Sequence, residues 1–297
     1  MILSDLFERD VSRLVYEIND NLELKRLLGT NLELKAKDIY KLQSNLDYTL
    51  VFQFFKLLFR RKRRIRNKKQ EFIIIDTSSI EIDLNMWRNR YKIGKIDKKY
   101  KYSYNPSIGY YVGFKLILAI NKDNELLGFE IFKDSPNDSK LLIPFVEKLF
   151  HARIIKPGDI LVCDKGFTSK SNYQIIINRF NVIPIIYPRK NTNLDRVIRD
   201  LNPPLKLFFA KKYKMPIWKN VVANFKKLIH DWEAFKAIRS NIEDFFNIAK
   251  NFLGMKRNHQ YTQVSVEKKV ARIIFLTQKM IKLLDELNID KRSIPYW

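Results

Sequence analysis

The spacing of hydrophobic and polar positions along this chain changes character near residue 70. Upstream, Leu3, Phe7, Val11, Leu14 and Val15 recur at helical intervals, and LELKRLLG (22–29) closes on Gly29, a residue suited to end a helix. Downstream, the apolar residues gather into short runs bounded by turn formers. EFIIID (71–76) predicts a short buried strand ending in an acid. FKLILAIN (114–121) and LLGFEIF (126–132) predict two strands joined by the turn NKDNE. DSKLLIPFVEKLFHAR (138–153) has helical apolar spacing behind an Asp138 cap, with Pro144 inside it. GDILVCDKGF (158–167) predicts a second buried strand ending in an acid, SKSNYQIIINRF (169–180) a helix, and NVIPIIY (181–187) a strand.

Strand, strand, strand, helix, strand, helix, strand is the element order of an RNase H-like core. The expected fold class is therefore α/β, a mixed sheet flanked by helices, with a helical basic N-terminal region and a helical C-terminus. Prolines then cluster, with Pro184 inside the last strand and Pro188, Pro203, Pro204 and Pro216 beyond it, which predicts a loop-rich excursion over about 189–225. A long helical region is expected from about 231 to 287. The organisation that follows is a helical basic region (1–70), a first part of the α/β core (71–188), an insertion (189–225), and a helical part that completes the core (226–297).

Composition adds a partner. Lysine and arginine number 56 against 32 acids, a net charge of +24. A surface so charged repels itself, and a polyanion is the usual compensator, so DNA or RNA comes ahead of an anionic membrane. The run RRKRRIRNKK (60–69) holds eight basic residues in ten. It reads as a phosphate-gripping arm or as a solvated linker. One cysteine excludes a disulfide framework, and three histidines (His151, His230, His259) are too few for a zinc finger. The opening MILSDLFERD lacks the apolar core of a secretory signal, and no apolar stretch approaches membrane-spanning length. The expectation is a cytoplasmic, nucleoid-associated protein.

Chemistry is sought among the acids. Asp76 and Asp164 each end an apolar strand run, where an isolated buried carboxylate is costly. Such acids either cap the following turn or share a divalent cation, since hard cations choose oxygen ligands. A third acid stands on the helix AIRSNIEDFFNIAKNFLG. At about 100° per residue, Glu243 lies about 40° from Arg239 and Lys250 about 20° from it. The three make one polar stripe beside an apolar face of Ile242, Phe245, Phe246, Ala249, Phe252 and Leu253. An exposed i,i+4 ion pair would produce the same stripe. Asp244 lies about 100° further round, off the stripe.

Arg239-x3-Glu243-x6-Lys250 resembles the C-terminal signature of insertion-sequence transposases of the DDE, RNase H-like superfamily. IDTSSI (75–80) resembles the motif around the first Asp of that family. GFKLILAI (113–120) resembles the strand pair that follows, and LVCDKGF (161–167) with IIYPRKN (185–191) resembles the second Asp and its proline-basic turn. The resemblance covers roughly 71–257. It departs from the pattern at Lys236, where the family usually has a tyrosine three residues before the arginine.

The resemblance implies that Asp76, Asp164 and Glu243 are catalytic and hold two Mg²⁺ ions, with Mn²⁺ able to substitute. Asp76 would bridge both ions. Such a site cleaves element ends and uses the freed 3′-OH to attack target DNA. Arg239 and Lys250 would neutralise phosphate oxygens, and Arg60, Arg61, Lys62, Arg63, Arg64 and Lys190 would contact double-stranded DNA. A homodimer or higher oligomer is implied in the DNA complex, and no membrane partner. Two other readings use the same residues: an RNase H-like nuclease that only hydrolyses, and a non-catalytic DNA-binding protein derived from a transposase.

The lysine- and tyrosine-rich KIGKIDKKYKYSYN (92–105) suits phosphate contact with base stacking, or forms a charged hairpin between the first two strands. Trp218 reads as a loop anchor or as a stacking platform. Cys163 reads as a packed strand residue, and His230 as a helix-cap or surface residue.

The basic run makes a measurable prediction. Replacing four of its residues by neutral ones should flatten the slope of log affinity for DNA against log salt by about four units, one per lost phosphate contact. Titrations at several salt concentrations measure this slope, and an unchanged one would make the run a solvated linker.

Overall fold

The computed structural model describes residues 11–27, 29, 32–45, 53, 70–83, 102–105, 109–201, 214–258, 260 and 262–291. Leu3, Phe7, the basic run at 60–69 with Arg60, Arg61, Lys62, Arg63 and Arg64, most of 92–105, Pro203, Pro204 and His259 lie outside the described residues.

Three helices come first: α1 (Val11–Asp20), α2 (Leu22–Leu27) and α3 (Ala36–Asn45). α1 buries Val11, Leu14, Val15 and Ile18, the stripe expected from its spacing. Gly29 follows α2 with φ of 63°, in the left-handed region where glycine carries no Cβ penalty.

The core begins with β1 (Phe72–Ile82), β2 (Tyr102–Asn105), β3 (Gly109–Asn121) and β4 (Leu126–Lys133). It continues through α4 (Asp138–His151), β5 (Ile160–Cys163), α5 (Lys170–Phe180) and β6 (Ile183–Ile186). β3 is antiparallel to β1 and to β4, whereas β5 is parallel to β1 and β6 to β5. The central order β4-β3-β1-β5-β6 is that of an RNase H-like sheet, and β2 extends the outer edge of β3. Ile73–Ile75, Ile160–Cys163 and the apolar positions of β6 are buried on both faces, which is why these strands read as unbroken apolar runs.

Three expectations are corrected. β1 does not end at Asp76 but continues to Ile82, because Thr77–Glu81 stay paired with β3 although they look turn-like in sequence. The cap of α4 is Asn137, whose side chain accepts from the Ser139 N–H, and Asp138 is the first helical residue. Pro144 is tolerated inside α4 on its exposed side, where water can serve the carbonyl left unpaired. The excursion after β6 carries two helices, α6 (Leu194–Arg199) and α7 (Lys214–Ile229), and Pro216 is admitted in the first turn of α7, where N–H groups lack intrahelical acceptors.

The C-terminal region is helical over most of 231–287, as expected, with one interruption. A 3₁₀ turn (Trp232–Phe235) leads into α8 (Lys236–Asn247), a π-helical turn (Ile248–Phe252), β7 (Arg257–Asn258) and α9 (Gln263–Leu287). Gly254, at φ of 67°, makes the break. Trp218 is buried on α7 and donates its indole N–H to Asn178 Oδ1 at 2.9 Å, so it anchors α7 to α5. No helix among the described residues is long and apolar enough to cross a membrane.

One glycine controls the approach of β3 to β1. Gly113 pairs with Glu81, and a Cβ on it would stand 2.0 Å from the Ile80 carbonyl oxygen. Gly113→Ala must push the two strands apart, so urea unfolding should show a loss of at least about 2 kcal/mol. A loss below about 0.5 kcal/mol would mean that the pair separates freely.

Candidate active site

Two acids are brought together by strand register. The parallel pairing of β1 with β5 ends at Ile75↔Cys163, and the next residue on each chain is Asp76 and Asp164. On its other edge β1 stays paired with β3 as far as Glu81↔Gly113. β7 rejoins the β5-side edge only at Glu81↔Arg257. Between these points, among the described residues, β1 has a strand on one side only, and the acids stand at the start of that gap. Asp164 is extended (φ −72°, ψ 166°) and makes no side-chain cap bond, so it is not spent on the following turn. Asp76 Oδ1 accepts from the Thr77 N–H at 2.7 Å.

The third acid arrives on α8. Ile242, Phe245 and Phe246 are buried and pack the helix against the sheet, which turns the stripe of Arg239 and Glu243 toward the gap. Arg239 Nη1 lies 3.7 Å from Asp76 Oδ2 and 3.5 Å from Asp164 Oδ1, while Nη2 donates to Glu243 Oε1. One guanidinium therefore touches all three acids singled out in the sequence. Lys250 is half-buried on the π-helical turn. Burial lowers its pKa, Asp76 acts in the opposite sense, and Lys256 adds to the lowering, so Lys250 lies within the field of the site. The stripe expected from the sequence assumes a regular helix, whereas a π turn carries Lys250 here.

Around the acids stands a layer that sequence reasoning missed. Asp138 Oδ1 accepts from Thr77 Oγ1 at 2.9 Å and from Lys115 Nζ at 2.8 Å. A Cβ on Gly166 would stand 2.7 Å from Asp138 Oδ2. Asp138 thus abuts both the residue after Asp76 and the loop after Asp164. Arg189 holds that loop from the other side, with Nε donating to the Lys165 carbonyl at 3.2 Å and Nη2 to that of Gly166 at 3.4 Å. The sequence signals are weak: Asp138 resembles a cap, and nothing in PRKN separates Arg189 from the exposed Lys190.

Lys236, in the family's tyrosine position, bonds to Glu233 at 3.0 Å and sits 4.9 Å from the Trp232 ring centroid. Cys163 is a buried strand residue whose thiol is pushed well above its ordinary range by burial and then by Asp76 and Asp164. His230 is exposed, 3.9 Å from Asp195.

The electrostatics leave negative charge unanswered. Asp76 is pushed up to about 7 from an ordinary 3.8, first by burial and then by the charges of Asp164 and Asp138, against the Thr77 N–H bond and Arg239. Three carboxylates face one guanidinium and one partly desolvated lysine. Hard oxygen donors with excess negative charge fit a divalent cation. Among the described residues, no three His, Cys, Asp or Glu side chains stand in the arrangement of a finished metal site, since Arg239 lies between the acids.

The raised pKa of Asp76 has a stability consequence with a definite sign. Between pH 3.8 and about 7 the folded protein keeps a proton that the unfolded chain has released. Stability contributed by this group therefore falls as pH rises through that window and is flat above it, by an upper limit of about 4 kcal/mol. In metal-free protein Asp76→Asn should raise stability more at pH 8 than at pH 5 in urea unfolding. Equal gains at both would mean that Asp76 ionises normally.

Among solved structures, the chain is similar to the Mos1 transposase paired-end complex with left transposon end, at 13% identity over 78% of each chain with a TM-score of 0.25. It is similar also to the Mos1 mariner paired end complex with Mn, at 12% identity over 77% of each chain with a TM-score of 0.24. Likenesses this weak carry no weight for function. No curated protein matches the chain. The family model described as the transposase DDE domain matches residues 67–277, which take in the whole sheet, all three acids and Arg239, and on that match the chain belongs to the transposase DDE domain family.

Proposed function

We propose that this chain cleaves double-stranded DNA at the ends of a mobile element and joins the freed 3′-OH to target DNA. The observation that carries the reading is the meeting of Asp76, Asp164 and Glu243 on one guanidinium, although 88 and 79 residues separate them in sequence. Membership of the transposase DDE domain family supports it.

Asp76, Asp164 and Glu243 would be the residues that hold two Mg²⁺ ions, or Mn²⁺. The chemistry that such a pair would supply is activation of the attacking oxygen and stabilisation of the leaving one in an in-line displacement. The protein's own groups prepare the site. With its pKa near 7, Asp76 changes charge close to neutral pH, and Arg239 favours its charged form. Arg239 keeps the acids from repelling one another before DNA arrives, and its planar fork suits a phosphate oxygen, whereas Lys250 offers a point charge. Asp138 and Arg189 fix the backbone on both sides of the acids. Arg60–Arg64 and Lys190 would grip the duplex, and two or more copies would act together on paired ends within the nucleoid.

The test compares neighbours on one helix. Glu243→Gln removes a metal-binding charge at nearly constant size, so cleavage of end-containing DNA with Mg²⁺ should fall at least about 100-fold. DNA affinity should hold or rise, because one repulsive charge has gone. Asp244→Asn should leave cleavage within about 3-fold, well under the effect of losing a ligand. Equal losses in both would assign the wrong acid. Joined products from an oligonucleotide ending in 3′-OH would distinguish a transposase from a nuclease that only hydrolyses.

A further inference from the structure

β3 extends well past the acid site. Leu118 pairs with Asp76, and Tyr110 lies eight residues along the same strand. At about 3.4 Å per residue this is roughly 27 Å, on the side toward which β1, β5 and β6 run. There β3 pairs with β2 in the register Tyr102↔Val112 and Tyr104↔Tyr110, beyond the reach of β4, whose pairing begins at Phe114.

The two faces of this ribbon differ. Ser103 and Tyr111 are buried on one face, and the Tyr111 hydroxyl bonds to that of Ser135 beyond β4. Tyr102, Tyr104 and Tyr110 occupy the other, 74%, 63% and 79% exposed, together with Val112, which pairs with Tyr102 and is buried. Tyr104 and Tyr110 face each other across the strands, with ring centroids 5.2 Å apart and planes at 59°. A single exposed tyrosine needs no explanation. Three on one face of a ribbon whose other face is packed form a prepared surface, and they cost little conformational entropy on binding.

Charge selects the occupant. The segment leading into β2 carries Lys92, Lys95, Lys98, Lys99 and Lys101, and the whole chain stands at +24. Tyrosines that follow a lysine-rich stretch in the sequence suit a ligand made of bases and phosphates, and every base offers a face to stack on. We infer that the tyrosine face of the β2–β3 ribbon binds unpaired nucleobases of a DNA strand running out from the acid site. The inference rests on the reading of this chain as a DNA-processing enzyme and adds the place where a single strand is held.

The experiment uses the full chain and fluorescence anisotropy with a 20-nucleotide oligothymidylate and with a blunt duplex of the same length. Tyr102→Ala, Tyr104→Ala and Tyr110→Ala combined should weaken binding of the single strand about 10-fold or more while the duplex changes less than about 3-fold. The corresponding triple Phe variant keeps the rings and should bind as the parent does. All three side chains are exposed, so losing the Tyr104–Tyr110 ring contact should cost no more than about 1 kcal/mol and lower the melting temperature only slightly. Unchanged affinity of the triple Ala variant for oligothymidylate would overturn the inference alone. Equal losses on both DNAs would assign the tyrosines to the duplex backbone and also overturn it. Loss of self-association with unchanged DNA affinity would make the face a contact between copies, which overturns it as well. A parent protein that binds neither DNA would sink the functional reading itself.

Discussion

Carboxylates set side by side in a partly desolvated place repel one another, and here the opposing charge is the guanidinium of Arg239. Its contacts hold two strands and a helix to one point. They do not supply the energy that brings the helix there. An exposed i,i+4 pair such as Arg239–Glu243 is worth only about 0.3–0.5 kcal/mol. Burying Ile242, Phe245 and Phe246 contributes about 1.5–3 kcal/mol for each side chain. Packing therefore docks α8, and the ion cluster follows in the position that packing dictates. Charge governs what the docked site can do: the acids outnumber nearby cations, and burial with the neighbouring carboxylates raises Asp76 to about 7, so added positive charge favours its ionised form.

The second constraint is the unequal pairing of β1. Its parallel ladder with β5 stops at Ile75, whereas its antiparallel ladder with β3 continues to Glu81. A strand paired on both edges would have its polar backbone fully engaged and its neighbours closed over it. The early stop opens one edge at Asp76. Gly113 lets β3 stay close enough to keep the other edge paired. Asp138 then ties Thr77 on β1 to Lys115 on β3 and lies against Gly166 beyond β5, so one side chain spans the three strands that frame the opening. The same continuation of β3 that completes the frame also projects the tyrosine ribbon. The site and its exposed arm are two stretches of one strand pair.

Much of this arrangement is legible in the amino-acid sequence alone. The RNase H-like order follows from apolar runs of strand length alternating with helical periods, because strands buried on both faces and amphipathic helices leave different sequence patterns. The α8 stripe is legible too, since the angle between Arg239 and Glu243 depends only on helix geometry over four residues. Local patterns mislead where long-range pairing overrides them. Thr77-Ser78-Ser79 looks like the end of a strand, yet β3 holds it extended. Asn137 and Asp138 are both good caps, and the chain uses the first because the second is committed to Lys115 and Thr77.

By itself, then, the sequence determined the periods, and with them the elements, the three acids as candidates, and the excess of positive charge that points to a polyanion. These are local or summed quantities, readable one residue or one helical turn at a time. Only the tertiary structure decided which groups meet. Asp76 and Asp164 become neighbours through a register between strands 88 residues apart, and Glu243 joins them through the docking of a helix. The roles of Asp138 and Arg189, the choice of Arg189 over Lys190, and the exposed face of the β2–β3 ribbon likewise depend on contacts between distant segments. No spacing along the chain encodes such contacts, because they arise from the shape of the packed core rather than from the order of residues within any one element.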